Sequence, residues 1–252
     1  MAKIQVRKNG GWHTVADGTK IQVRKDGNWV NPTKIQVYKN GGWHTVWNKS
    51  NAVTLVFQAV DSNSWRQGGW RGSNDLRIGS WDFGDHIGLV SFVTGNNTNS
   101  ATAADGTSVS ADTLANHLAE RTVINSCTLT LYRESGAGYN PIGATGNSEN
   151  FYFGYYDGTI GSGDADDDIN TTNMETISAS SLNALGWNYN ESQTLTLNTT
   201  MAAELGTKEL WMANRTSLFA ASPGGGEDTT YSTFNGHSDS NKPTLTLSLI
   251  HI

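Results

Sequence analysis

Three near-identical segments open the chain, and this repetition constrains its architecture more than any other feature of the sequence. The copies begin at Lys3, Lys20 and Lys34, and each runs Lys-Ile-Gln-Val, then Asn-Gly or Asp-Gly, then Trp. Alternating apolar and polar residues that lead into Asn-Gly or Asp-Gly predict a β-hairpin with a type I′ turn, because that turn needs two positive φ angles. Residues 1–49 are therefore predicted to form tandem β-hairpins.

The turn of each hairpin determines which residues lie opposite each other. With Asn-Gly or Asp-Gly as the turn, a cation or an aromatic ring lies opposite the Trp of every copy, and such a cross-strand pair holds the register. The same register places Ile4 opposite Val15. In the third copy, it places Ile35 opposite Val46. The residues that we predict to form the attachment surface of the hairpins are Arg7, Trp12, Arg24, Trp29, Tyr38 and Trp43.

A hairpin of about 14 residues cannot bury a core of its own, because an isolated two-stranded hairpin is marginally stable in water. The copies must therefore pack on one another, on the rest of the chain or on another protein. Residues 1–49 are also basic, with nine Lys and Arg residues against Asp17 and Asp26. Two interpretations of this charge stay open: lysines at strand edges that block unwanted pairing, or electrostatic docking onto an acidic partner.

The rest of the chain has the pattern of an all-β protein. Charged residues are 16% of the chain and aromatic residues 10%, which is far from the balance of a disordered protein. The predicted fold class is all-β, with the N-terminal tandem β-hairpins followed by an antiparallel jelly-roll-like β-sandwich over residues 50–252. One or two short helices are expected among residues 111–119, 180–185 and 200–205. Segments that alternate with a period of two cover residues 53–60, 89–93, 128–132, 150–156, 193–197, 209–213 and 244–250.

Charge and hydropathy exclude several classes of function. The net charge of −6 argues against nucleic-acid binding, which needs a basic face. No segment approaches about 18 consecutive apolar residues, so we expect no insertion into a membrane. Residues 1–15 lack the apolar run of a secretory signal, and we expect synthesis in a cytoplasm and release by lysis or within a particle. The single cysteine, Cys127, lies in an apolar alternation and is predicted to be a buried thiol.

An acidic run in residues 161–170 is the one candidate metal site. Closely spaced carboxylates supply the hard oxygen ligands that Ca²⁺ prefers, and the candidate ligands are Asp164, Asp166 and Asp168. The run lacks the glutamate that would close an EF-hand loop. The alternative is a solvated loop, which is what a row of like charges usually forms. No other cofactor is expected.

Aromatic residues provide the better candidate for a binding site. Sugar rings stack their C–H faces on Trp and Tyr, while Arg, Asn and Asp bind the hydroxyl groups. The alternative is that these residues pack in the core or between subunits. The candidates for contact with a glycan or a partner are Trp65, Trp70, Arg71, Tyr152, Tyr155 and Tyr156.

No catalytic signature is apparent, and we predict that the protein is not an enzyme. A glycosidase needs two carboxyl groups about 5–10 Å apart across the sugar, and the spacing of the acidic residues singles out no pair. The sequence has neither a Gly-x-Ser-x-Gly elbow nor a phosphate-binding Gly loop. The carboxylates available for a glycosidase, which is a third interpretation, are Glu134, Glu149, Asp157, Glu175 and Glu191.

Short segments of the body resemble jelly-roll carbohydrate-binding modules of secreted polysaccharide-active proteins. Ile-Gly-Ser-Trp-Asp-Phe-Gly at 78–84 is similar to an early segment of these modules, Thr-Leu-Thr-Leu-Tyr at 128–132 to the strand that follows, and Lys-Pro-Thr-Leu-Thr-Leu at 242–247 to the closing strand. The similarity extends over roughly residues 53–250. It implies a β-sandwich, and it implies glycan binding as the alternative function.

The tandem hairpins at 3–47 resemble N-terminal elements of tail-fibre, receptor-binding and decoration proteins of tailed bacteriophages. This resemblance implies a non-enzymatic virion protein whose hairpins dock to capsid or tail proteins. The sandwich would then face outward as a capsid decoration or as a host-surface adhesin that grips glycans. The same resemblance implies a homotrimer that is assembled in the host cytoplasm and released by lysis. The alternative is a carbohydrate-binding module of a polysaccharide-active system.

Overall fold

The chain divides into two compact units, Met1–Asn51 and Ala52–Ile252. The division falls two residues after the predicted boundary between residues 49 and 50. The computed structural model describes residues 3–8, 11–17, 23–25, 27–30, 34–48, 51–66, 69–81, 84–92, 98–103, 108, 118, 123–134, 150–163, 165–213 and 230–251.

The described part of the first unit consists of three separate two-stranded antiparallel sheets. Each predicted pairing across from a Trp is confirmed, with Arg7 opposite Trp12, Arg24 opposite Trp29 and Tyr38 opposite Trp43. The type I′ prediction is confirmed in the third hairpin, where Asn40 has φ 52° and Gly41 has φ 80°. The strands are β1 (Lys3–Lys8), β2 (Gly11–Asp17), β3 (Val23–Lys25), β4 (Asn28–Val30), β5 (Lys34–Lys39) and β6 (Gly42–Asn48).

The predicted register is wrong at the open end of the first and third hairpins. Ile4 lies opposite Ala16 and not opposite Val15, because the register shifts between Ile4 and Gln5. The third hairpin has the same irregularity, which places Ile35 opposite Trp47 and not the residue before it. A β-bulge of one extra residue on the second strand accounts for both shifts.

The second unit is all-β, as predicted, and its strands pair antiparallel. Its strands are β7 (Asn51–Gln58), β8 (Asp61–Arg66), β9 (Gly69–Trp70), β10 (Leu76–Trp81), β11 (Gly84–Ser91), β12 (Thr98–Ala103), β13 (Val123–Arg133), β14 (Phe151–Tyr156), β15 (Glu175–Ile177), β16 (Glu191–Leu197), β17 (Glu209–Ala213), β18 (Thr230–Phe234) and β19 (Thr244–His251). They follow the hydrogen-bonded order β12-β7-β19-β13-β18-β10-β11-β17-β14-β15. In addition, β16 pairs with β13, and β8 pairs with β11 and β9.

Three short helices have both of their ends among the described residues of this unit. The helices predicted near 180–185 and 200–205 are confirmed as α2 (Ala179–Ala184) and α3 (Thr199–Glu204). A further turn of helix, α1 (Ala165–Asp168), lies in the acidic run, where we had predicted a loop. The helix predicted at 111–119 lies outside the described residues, except for Leu118, which is helical.

One hydrophobic core joins two groups of strands and makes the unit a sandwich. Alternate side chains of β7, β13, β16 and β19 point into this inner core from one side, because successive side chains of a strand face opposite ways. Side chains of β11, β14 and β17 enter it from the other. Cys127 is buried in it, as predicted. Representative residues are Leu55, Phe57, Leu129, Leu247, Val90, Phe153, Leu210 and Met212.

The strands β11, β14 and β17 are buried on their second face as well. There a separate outer cluster brings side chains of these strands together with Trp65 of β8. Two aromatic side chains, Tyr156 and Trp211, are fully buried in it. The segment of chain that follows β14 packs on this outer cluster and shields it from solvent. The members of the cluster include Trp65, Ile87, Leu89, Tyr152, Tyr156, Ile160, Trp211 and Ala213.

Candidate functional site

The most exposed large hydrophobic side chains of the described residues belong to the third hairpin. Tyr38 is 62% exposed and Trp43 is 69% exposed. Their rings meet edge to face with 5.4 Å between the centroids. His44 Nε2 lies 2.9 Å from the carbonyl oxygen of Lys39, to which it donates across the turn. The hairpin therefore presents a fixed aromatic pair, which is the kind of surface that contributes most to protein–protein binding.

The other predicted attachment residues, Arg7, Trp12, Arg24 and Trp29, occupy corresponding positions. They pair across β1–β2 and β3–β4 as Tyr38 and Trp43 pair across β5–β6. Their side chains lie outside the described residues. The backbone register thus gives each copy one Trp with one cross-strand partner near the turn.

Strand β14 carries three of the tyrosines predicted to contact a glycan, and all three are buried. Tyr155 packs in the inner core, whereas Tyr152 and Tyr156 pack in the outer cluster. The expectation of an exposed platform on this strand is wrong, because β14 lies between β15 and β17 and is covered on both faces. The burial favours the alternative interpretation of core packing.

The remaining three glycan candidates lie at β8 and β9. Trp65 is buried, and its ring meets that of Trp70 edge to face with 5.3 Å between the centroids. Trp70 Nε1 donates a hydrogen bond of 3.1 Å to the carbonyl oxygen of Gly163. Trp70 and Arg71 are half-buried, so both keep accessible surface. Glycan binding at Trp70 and Arg71 stays a prediction.

The outer cluster is closed by residues 157–163 and 165–174, which we call the cover segment. Trp211 Nε1 donates to the carbonyl oxygen of Asn170 at 3.0 Å. At the other end, the backbone N–H of Ile160 donates to the carboxylate of Glu209 at 3.2 Å. Burial raises the pKa of Glu209 to about 7, although the hydrogen bond from Ile160 acts in the opposite direction. A carboxyl group that titrates near neutral pH therefore holds the cover segment.

Two of the predicted calcium ligands, Asp166 and Asp168, lie in this cover segment. Asp164 lies outside the described residues, and so does the side chain of Asp166. Asp168 is half-buried, and its carboxylate packs beside Gly158, where an added Cβ would lie 2.6 Å from Asp168 Oδ2. Calcium binding here stays a prediction.

A different set of carboxylates comes together among the described residues. Oxygens of Asp75, Glu134 and Asp239 all lie within 4.8 Å of one another, and all three residues are half-buried. Burial raises the pKa of Glu134, the carboxylates of Asp75 and Asp239 raise it further, and Arg77 lowers it. Because three carboxylates at this separation repel one another, the group favours a proton or a cation between them.

A serine, a histidine and an aspartate also meet near this acidic group. Ser62 Oγ lies 3.0 Å from His237 Nδ1, and Asp61 Oδ1 lies 3.8 Å from the same nitrogen. A catalytic triad needs the serine and the carboxylate on opposite ring nitrogens. Ser62 Oγ is also buried, donates to the carbonyl oxygen of Asn74 at 2.6 Å and accepts from the His237 backbone N–H at 2.8 Å. Ser62 therefore connects the segments that contain Asn74 and His237, and its hydroxyl group is not positioned as a catalytic nucleophile.

Sequence reasoning missed Asp75 and Asp239 because no local pattern connects them. Asp75 precedes β10 and Asp239 follows β18, and these strands pair with Leu76 opposite Phe234. Only the pairing of strands far apart in the chain brings the two carboxylates together. Only a prediction that β10 pairs with β18 would have placed the Asp75 and Asp239 carboxylates together.

The described structure defines an all-β protein with a hairpin unit and a sandwich unit. The chain matches no protein-family model, no curated protein and no solved structure. Among the described residues, no helix is long and apolar enough to span a bilayer.

Proposed function

We propose that the protein is a non-enzymatic structural protein of a tailed-bacteriophage particle. Its hairpins attach it to capsid or tail proteins, and its sandwich is displayed outward as a capsid decoration or as a host-surface adhesin. The observation that carries this proposal is the exposed, edge-to-face pair Tyr38–Trp43 near the turn of the third hairpin. Trp and Tyr are enriched at binding hot spots because they bury a large area with few rotatable bonds.

Repetition and charge support the attachment role. Three hairpins in one chain make attachment multivalent, so that weak contacts add to a strong one. Residues 1–49 carry nine Lys and Arg residues against two Asp, whereas residues 50–252 carry eight against 21 Asp and Glu. A basic hairpin unit is therefore attracted to acidic surfaces, while the acidic sandwich is repelled from them. This asymmetry favours attachment through the hairpins and outward display of the sandwich.

Particle attachment can be tested in cells infected by the phage that encodes the chain. Particles are purified by density gradient and labelled with immunogold against residues 52–252. The wild-type chain is expected on the particle, and a chain with Trp43→Ala and Tyr38→Ala is expected at a level several-fold lower. Tyr189→Ala is the matched control, because Tyr189 is an exposed aromatic residue of the sandwich unit. Particles without label would contradict a virion role and would leave the carbohydrate-binding module as the candidate function.

A further inference from the structure

Three arginines meet at a buried histidine in the sandwich unit. Arg66 ends β8, Arg71 follows β9, Arg77 lies in β10, and His86 lies in β11. His86 is 1% exposed, and Arg66 is its direct partner in the β8–β11 register. All three arginines are half-buried, so each keeps accessible surface.

Ser64 fixes the backbone of two of these arginines. Its carbonyl oxygen accepts the Arg71 backbone N–H at 2.9 Å. Its hydroxyl accepts the Arg77 backbone N–H at 2.7 Å and donates to the carbonyl oxygen of Asp75 at 2.7 Å. Ser64 is fully buried. The backbone positions of Arg71 and Arg77 are therefore fixed on either side of Ser64.

Three guanidinium groups place positive charge around His86, and the carboxylates of Asp75, Glu134 and Asp239 lie on the side of Arg77. The pKa of His86 is lowered to about 4, first by burial and then by Arg71, Arg66 and Arg77 in that order, while a backbone hydrogen bond at Gly79 opposes the shift. The imidazole is therefore neutral at pH 7, and the positive charge belongs to the guanidinium groups. Arg77 also lowers the pKa of Glu134, so part of its field acts on that carboxylate.

We infer that Arg66, Arg71 and Arg77 form a binding site for an oxyanion, namely the carboxylate, sulfate or phosphate group of a ligand. Each arginine has five N–H donors in a planar fork, so it can keep its contacts within the fold and still bind two oxygens of an anion. An anion among three cations also relieves their mutual repulsion. A sugar acid of a host-surface glycan is one ligand that carries such a group.

The sugar-acid part of this inference rests on the proposed adhesin role, whereas the oxyanion site itself does not. The two sources of oxyanion are distinguished by different probes. Equilibrium dialysis of the full chain against radiolabelled sulfate measures the free anion, and competition by glucuronate, with glucose as the neutral control, measures the sugar acid. Because this experiment needs no phage particle, its failure is distinguishable from failure of particle attachment.

The wild-type chain is expected to bind sulfate saturably at one site. Arg66→Gln and Arg71→Gln are expected to weaken binding at least about tenfold, because each removes charge-assisted hydrogen bonds. Arg71→Lys, which keeps the charge and loses the fork, is expected to have an intermediate effect. Lys242→Gln removes a charge elsewhere on the sandwich unit and Lys39→Gln removes one from an exposed position of a hairpin, and both are expected to bind sulfate as the wild type does. Cooperative thermal melting verifies that each variant is folded.

Several results would overturn this inference. Absence of saturable sulfate binding would remove the site, and equal binding by the wild type and the folded arginine variants would place the anion elsewhere. Loss of binding in Lys39→Gln would assign the anion to the hairpins. Displacement of sulfate by glucuronate but not by glucose supports a sugar acid. Failure of glucuronate to compete would exclude that source.

Discussion

In the antiparallel register of β14 and β17, Gly154 lies directly opposite Trp211. A Cβ at Gly154 would lie 2.5 Å from Cε2 of the indole. Trp211 is fully buried and is held by its hydrogen bond to Asn170, so the ring has no free space into which to move. Gly154→Ala is therefore expected to lower the free energy of unfolding by about 1–3 kcal/mol, as overpacking does. Urea denaturation monitored by fluorescence measures this change.

Gly69→Ala is the control for that substitution. Gly69 has no atom within 4 Å of an added Cβ, and it lies at the edge of the same aromatic group. The unfolding midpoint of the Gly69→Ala variant is expected to equal that of the wild type within experimental error. Equal midpoints for Gly154→Ala and Gly69→Ala would show that the contact between Gly154 and Trp211 is looser than described.

At the scale of elements, the cover segment depends on the protonation of Glu209. The folded pKa of about 7 lies above the ordinary value of 4.5, so the folded state binds more protons than the unfolded state between these pH values. The free energy of unfolding therefore falls as the pH rises from 4.5 to 7. Glu209→Gln keeps an oxygen that accepts from Ile160 and cannot titrate. The free energy of unfolding of Glu209→Gln minus that of the wild type is therefore expected to increase by about 2 kcal/mol as the pH rises from 4.5 to 7. This figure includes a discount for the partial exposure of Glu209.

Chemical denaturation of both proteins at several pH values measures that difference. The comparison isolates Glu209, because the other titrating groups are present in both proteins. His86 is one of them, and its lowered pKa gives the opposite slope between pH 4 and 6.5. A constant difference from pH 4.5 to 7 would show that Glu209 ionises normally and does not couple the cover segment to pH.

Local patterns predicted the elements, and long-range contacts decided what the elements expose. Asn40 and Gly41 form the expected turn because the positive φ angles are a property of these two residues alone. The alternation of β13 likewise predicted the burial of Leu129 and Leu131. Tyr152 and Tyr156 could not be assigned in this way, because their burial depends on a cover segment that no period-two pattern reveals. The bulges in the hairpins were missed for a related reason, since an extra residue leaves the sequence pattern near the turn unchanged.

For the whole molecule, assembly is expected to depend on the hairpin unit. We predict that the full chain forms trimers of three times 27.2 kDa and that residues 50–252 alone are monomeric. Two-stranded hairpins have too little buried area to be stable alone, so packing between copies benefits them most. The described residues of the inner core all belong to the second unit, and the truncated chain is therefore expected to melt cooperatively. Sedimentation velocity measures the masses, and a trimer of the truncated chain would place the assembly contacts in the sandwich.

Salt dependence tests the interpretation that the basic hairpins dock by charge onto an acidic surface. The Debye length falls from about 30 Å at 0.01 M salt to about 3 Å at 1 M, so a contact held by charge weakens steeply over this range. A contact held by aromatic burial does not, because hydrophobic association is insensitive to screening. Since Tyr38 and Trp43 are the most exposed large hydrophobic side chains among the described residues, we expect the trimer to persist at 1 M NaCl and to dissociate in Trp43→Ala. Dissociation of the wild type by salt alone would instead assign the contact to the lysines and arginines and to an acidic surface of the neighbouring copy.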